Sequence, residues 1–239
     1  MRLARWLALA LVGGCVKPGG ADAPLYYGDS ADSAAGDSAP GPKFLLIAGD
    51  PAGTVASAWI DWFTALAATE VHSATDDPAT FGTSQELTVL LPDLPRNAKG
   101  SVAGWTAGTG NVLAMGVGGA HAYDGLGIGI GYADGGQGAV DGLSIADGFG
   151  SNAVFAGVDQ SAGPIVTVWQ EPVTDVGIVP VAAGLEVLGW DDRYPGSYAD
   201  LCHIDRYWFW GWGDTDGTPD RLTADGGVVF QNLVGALAP

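Results

Sequence analysis

The chain has 239 residues, with 9 Lys and Arg against 27 Asp and Glu, a net charge of -18, 47% hydrophobic residues and 39 glycines. The apolar content excludes a disordered acidic tail, and the acid excess excludes nucleic acid and anionic lipid headgroups as partners, because those demand clustered Lys and Arg. Two cysteines exclude a disulfide scaffold and any Cys-based zinc or iron–sulfur cluster, and no cofactor or metal site is expected.

Met1 to Cys15 reads MRLARWLALALVGGC. Arg2 and Arg5 make a short positive start, Trp6 to Val12 an apolar run too short to span a bilayer, and Gly13-Gly14 precede Cys15. Val12-Gly13-Gly14-Cys15 resembles the lipobox of a bacterial lipoprotein signal peptide. The resemblance implies removal of residues 1–14 and acylation of Cys15, and several acyl chains, each CH₂ worth about 0.8 kcal/mol on burial, anchor a protein stably. An ordinary secretory signal that contains a cysteine is the alternative. Val16 after the cysteine, in place of Asp, points to the outer membrane. Membrane contact is then through lipid alone, with protein partners unspecified.

Residues 16–42 are mostly Gly, Ala, Pro, Ser and Asp without apolar periodicity, so residues 15–42 are expected as an acylated cysteine and a flexible stalk. A domain is expected over 43–239. Phe44 to Ala48 is a continuous apolar run, as in a strand covered on both faces. Val55, Trp59, Trp62, Phe63 and Leu66 recur at helical spacing over 53–67. Short strands are expected at 70–73 and 88–91, a weak helix at 98–108 and a third apolar strand at 111–116. The glycine-rich stretch 127–164 resists assignment apart from a strand at 153–157. Further strands are expected at 165–169, within 173–189 as a hairpin, and at 206–212. Thr223 can cap a last helix whose apolar face is Val229, Phe230, Leu233, Val234 and Leu237. Alternating strands and helices predict an α/β doubly wound fold with a mostly parallel sheet and a glycine-rich insertion.

Val112-Leu113-Ala114-Met115-Gly116-Val117-Gly118-Gly119-Ala120-His121, followed by Leu126-Gly127, resembles the nucleophile turn of the class I glutamine amidotransferase-like superfamily, including its trehalose-utilisation-like branch. In those enzymes a strand enters a Gly-x-Cys-x-Gly-x-Gln turn, and the cysteine sits on an elbow whose backbone amides stabilise an oxyanion. Set on that motif, Gly116 takes the first glycine and Gly118 the nucleophile's place, while Ala120 and Ala122 replace the last glycine and the glutamine. A second likeness is the ending, Trp208 to Trp212, then Thr218-Pro219-Asp220. The late His-Pro-Glu of the catalytic family is absent: the stretch here is Gly211-Trp212-Gly213-Asp214. Cys202 and His203 are adjacent, so on a strand they face opposite sides and make a poor thiolate–imidazole pair. The resemblance thus implies the fold, and the glycine argues against glutamine hydrolysis, with no catalytic residue assigned.

Other groupings each admit a plain reading. Gly116, Gly118 and Gly119 are a tight elbow or a phosphate cradle lacking the P-loop's Lys-Ser/Thr. His121 with Asp50, Asp93 and Asp214 forms a crevice at the carboxyl ends of the strands, or each caps a helix or turn. Asp214 to Asp220 lacks the spacing of a calcium loop. Trp208, Trp210 and Trp212 share a strand face, either stacking on sugars or packing as a buried layer, with Trp212 nearest the crevice. The expected pocket is therefore Asp50, Asp93, Gly116, Gly118, Gly119, His121, Trp212 and Asp214. The leading expectation is a non-catalytic envelope lipoprotein that binds a small polar molecule or carbohydrate. A sugar hydrolase or isomerase using His121, or a structural surface module, are the alternatives.

Overall fold

A computed structural model describes residues 43–108, 110–128, 130–131, 138–180, 182–213 and 216–239. The expected lipobox, Cys15 and the expected stalk lie outside the described residues, as does Asp214.

The apolar run after Lys43 forms β1 (Phe44–Ala48), fully buried along its length. Its side chains alternate between two cores: Phe44, Leu46 and Ala48 enter one, Leu45 and Ile47 the other. A strand lined on both faces needs this unbroken hydrophobicity. α1 (Thr54–Leu66) follows and buries Val55, Ala56, Trp59 and Phe63. The chain then crosses to β2 (Thr69–Ser73), β3 (Leu87–Leu90), a short α2 (Val102–Trp105) and β4 (Asn111–Met115), which runs straight into α3 (Gly116–Leu126).

Beyond α3 come β5 (Ile130–Gly131), β6 (Gly138–Val140), β7 (Gly142–Ile145), β8 (Ile165–Thr167), β9 (Val173–Asp175), β10 (Val179–Pro180), β11 (Glu186–Asp191), β12 (Ala199–Ile204) and β13 (Tyr207–Trp210). The chain ends in α4 (Ala224–Leu237). Thr223 caps α4 as expected, its Oγ1 accepting the Gly226 N–H at 2.9 Å.

Among the described residues the main sheet has nine strands in the order β2-β1-β3-β4-β13-β12-β11-β7-β8. β2, β1, β3, β4 and β13 are parallel. From β12 onward every pairing is antiparallel, so the insertion extends the sheet. α1 and α4 cover one face through Trp59, Phe63 and Phe230, and α2 and α3 cover the other through Trp105 and Tyr123. This is the expected α/β doubly wound arrangement. No helix among the described residues is long and apolar enough to cross a membrane.

Two expectations are corrected, and a third is refined. Residues 153–155 form a 3-10 turn rather than a strand, capped by the Asn152 side chain on the Val154 N–H at 3.0 Å. Segment 173–189 is no hairpin: β9 pairs with β6, β10 with β5 and β11 with β12 and β7. The weak helix expected at 98–108 is present as α2, with Val102 and Trp105 buried, and a 3-10 turn over Arg96–Ser101 leads into it. β12 has no counterpart among the expected elements, because its polar Asp200 and His203 break the apolar pattern.

Candidate functional site

β1 has β2 on one side and β3 on the other, so the chain connections diverge there and a crevice opens outside the strands' carboxyl ends. Asp50 follows β1 and Asp93 follows β3. The Asp50 N–H donates to Asp93 Oδ2 at 2.7 Å, while Asp50 Oδ1 accepts the Ala52 N–H at 3.1 Å. Asp93 Oδ1 is buried without a hydrogen-bond partner among the described residues. These two acids border a cavity of about 470 Å³ whose far wall is the start of α1, Gly53 to Ala56. Gly53 has no side chain to cap that helix, and the Thr54, Val55 and Ala56 amides find no acceptor among the described residues. The cavity therefore offers hydrogen-bond donors on one wall and carboxylate acceptors on the other.

The elbow between β4 and α3 is closed. The residue at the bend is Gly116, with φ of 53°, a left-handed conformation that glycine adopts freely. This corrects the placement of Gly118 on the elbow, since Gly118 lies inside the first turn of α3. A Cβ at Gly116 would collide with the Gly213 carbonyl, and one at Gly118 with the Leu91 carbonyl and Leu94. The first two amides beyond the bend are also occupied. Val117 N–H donates to the Gly213 carbonyl at 3.1 Å and Gly118 N–H to the Pro92 carbonyl at 2.8 Å. Gly119 packs on Ala114 of β4. With these donors committed to backbone carbonyls, the turn is a packing elbow and not a phosphate cradle.

The remaining expected members separate. His121 is half-buried on α3; its Nδ1 lies 3.4 Å from the Leu94 carbonyl, and it does not line the Asp50–Asp93 cavity. Trp212, expected at the crevice, is fully buried and packs on Trp210 at 4.8 Å between ring centroids. The alternating tryptophans are core at Trp210 and Trp212, whereas Trp208 is half-buried and stacked on His203 at 4.1 Å. Cys202 and His203 do face opposite sides: the thiol is fully buried, and His203 Nε2 meets Glu186 at 2.8 Å. Burial, reinforced by Asp200, pushes the Cys202 thiol well up, the opposite of an activated nucleophile.

A further cluster escaped the sequence reading. Asp175 at the end of β9, Asp191 at the end of β11 and Asp200 on β12 are all fully buried. They sit at the same sheet edge as the elbow, because the Gly211 N–H donates to the Asp200 carbonyl and Gly213 N–H to the Thr174 carbonyl. Arg193 grips Asp191 through Nε at 3.1 Å and Nη2 at 2.8 Å, and reaches Asp175 at 3.5 Å. Burial works to raise the Asp191 pKa, but the Arg193 hydrogen bonds outweigh it and hold the carboxyl below its usual range. Burial and the neighbouring Asp191 push Asp175 up to about 8. Asp200 rises well above the carboxylate range through burial, then the charges of Asp175 and Asp191. One guanidinium cannot neutralise three buried carboxylates, so burial favours the protonated forms of Asp175 and Asp200. The adjacent Asp191-Asp192-Arg193 was a visible hint, but burial of Asp175 and Asp200 arises only from contacts across the insertion.

No family model matches the chain, and no curated protein matches it. Among solved structures, it is similar to a GMP synthase subunit candidate from Thermoplasma acidophilum, with a TM-score of 0.57 and 12% identity over 82% of this chain and 94% of that one. It also aligns with SMU.1228c at 11% identity over 80% of this chain and 81% of that one, with a TM-score of 0.48, below the level that implies a shared fold. At such identity the likeness is one of fold alone: the described residues share the α/β arrangement of the Thermoplasma protein.

Proposed function

We propose that this chain is an envelope-anchored lipoprotein whose amidotransferase-like domain binds a small polar ligand and does not hydrolyse glutamine. Its proposed organisation is a signal peptide over 1–14, acylated Cys15 with a stalk to residue 42, and the domain over 43–239, held at the outer membrane. The lipobox supports the anchor. The observation that carries the non-catalytic reading is the closed elbow, where glycine stands at the bend and the Val117 and Gly118 amides are spent on Gly213 and Pro92. An amidotransferase needs a thiolate there and free amides to meet the developing oxyanion. The ligand belongs in the Asp50–Asp93 cavity. Its paired donor and acceptor walls suit a neutral molecule that both gives and takes hydrogen bonds, such as a carbohydrate.

The test is ammonia release from glutamine by the purified protein, run beside its Cys202→Ser variant. No release above buffer is expected. Turnover that disappears with Cys202→Ser would overturn the reading. The anchor is tested separately by palmitate labelling, which Cys15→Ser should abolish.

A further inference from the structure

A second cavity, of about 530 Å³, is bordered by β7 and β11, on the antiparallel extension and apart from the Asp50–Asp93 crevice. Its walls include Trp190, Phe149, Pro195, Val187, Ser144 and Asp147. The β11 pairing with β12 is irregular between Val187 and Trp190. That bulge breaks the two-residue alternation, so Val187 and Trp190 lean on the same core although three residues apart. The bulge thus turns an indole to line the cavity beside Ser144, its partner across the strands.

Trp190 differs from the other indoles of the described residues. Trp59, Trp105, Trp169, Trp210 and Trp212 are fully buried. Trp62 lies against Phe63 and Phe230, and Trp208 against His203. Trp190 is half-buried, lines a cavity and has no aromatic ring against it among the described residues. Nearby, the exposed Asp147 carboxylate and the Ser144 hydroxyl line the same cavity and take no hydrogen-bond partner among the described residues.

We infer that this cavity is a carbohydrate site in which a neutral sugar ring lies on Trp190 and its hydroxyls donate to Asp147. A pyranose has an apolar C–H face that matches an indole, and a rim of hydroxyls that a carboxylate accepts. The volume falls in the range that holds small ligands. No Lys or Arg lines the cavity, and Asp147 opposes anionic sugars. This site is independent of the crevice and of the elbow.

Saturation-transfer NMR of the purified full chain with maltose, cellobiose, chitobiose and lactose tests it. Transfer to the C–H protons of one ring face is expected from at least one of the four. Trp190→Ala should weaken binding at least about tenfold, about 1.4 kcal/mol, with Trp190→Phe largely restoring it. Asp147→Asn, at an exposed position that leaves folding intact, should weaken it severalfold, while Asp61→Asn, on the exposed side of α1 and outside both cavities, should leave it unchanged. Absence of transfer from all four sugars, or undiminished transfer in both Trp190→Ala and Asp147→Asn, would overturn the site. Loss of transfer in Asp93→Ala alone would also overturn it, placing the sugar in the crevice instead.

Discussion

The buried acids make the fold's stability depend on pH in an unusual direction. Burial raises the folded pKa of Asp175 to about 8 against an ordinary 3.8, and Asp200 is raised in the same direction. A raised folded pKa means that the native state holds protons the unfolded chain releases. That contribution is complete below about pH 4 and is lost as pH rises through about 8. Each extra proton makes the unfolding free energy fall by about 1.4 kcal/mol per pH unit. Two such protons set an upper limit of about 5 kcal/mol between pH 5 and pH 7, a large share of a typical domain's stability. Asp191 acts oppositely: its pKa is lowered, so its contribution is present at neutral pH and fails as pH falls through that lowered value. Stability should therefore peak in mild acid. Asp200→Asn supplies an amide donor of the same shape, with no proton to lose. Its slope between pH 5 and 7 should drop to at most about 1.4 kcal/mol per unit, half the wild-type limit or less. Urea unfolding followed by tryptophan fluorescence at several pH values measures both slopes. A wild-type stability flat over this range, or equal slopes in the two proteins, would refute the protonation of Asp175 and Asp200 in the folded state.

Other outcomes follow from the same structure. Gly116→Ala should lose about 2–4 kcal/mol, read as a lower melting temperature, because it combines a left-handed backbone with a collision at the Gly213 carbonyl. Gly116→Cys should be destabilised at least as much and gain no glutaminase activity. Thr223→Ala should lose about 1 kcal/mol by urea titration, since it removes the α4 cap together with a hydrogen bond to the Thr167 carbonyl at 2.6 Å. Cys202 should resist a thiol reagent in the native protein and react on unfolding, because it is fully buried and its pKa is raised.

The parallel half of the sheet was legible because its strands are buried on both faces and read as unbroken apolar runs: Phe44 to Ala48, Val89 to Leu91, Val112 to Met115. Val55, Trp59 and Phe63 likewise disclosed α1 by their spacing. The antiparallel extension was not legible. Its strands are short, glycine-rich and interrupted by acids whose burial depends on partners far along the chain. β12 holds Asp200, an acid that reads as a surface residue until β9 and β11 pack around it. Of the expected pocket, Asp50 and Asp93 meet, because both follow parallel strands that are neighbours in the sheet. Trp212 and His121 do not join them. Chain order places residues at an edge of the sheet, but their side-chain directions are set by the bridge from Trp212 to Asp175 and by the packing of α3. The elbow's glycines were visible as a motif. Which glycine occupies the bend was decided by where β4 ends, at Met115.

Amide hydrogen exchange at Val117 and Gly118 tests the closed elbow most directly. The account predicts that both exchange as slowly as the Val112–Met115 strand amides, while Thr54, Val55 and Ala56 at the open start of α1 exchange at near-unprotected rates. Fast exchange at Val117 and Gly118 would mean that their donors are free to meet an oxyanion, and would contradict it.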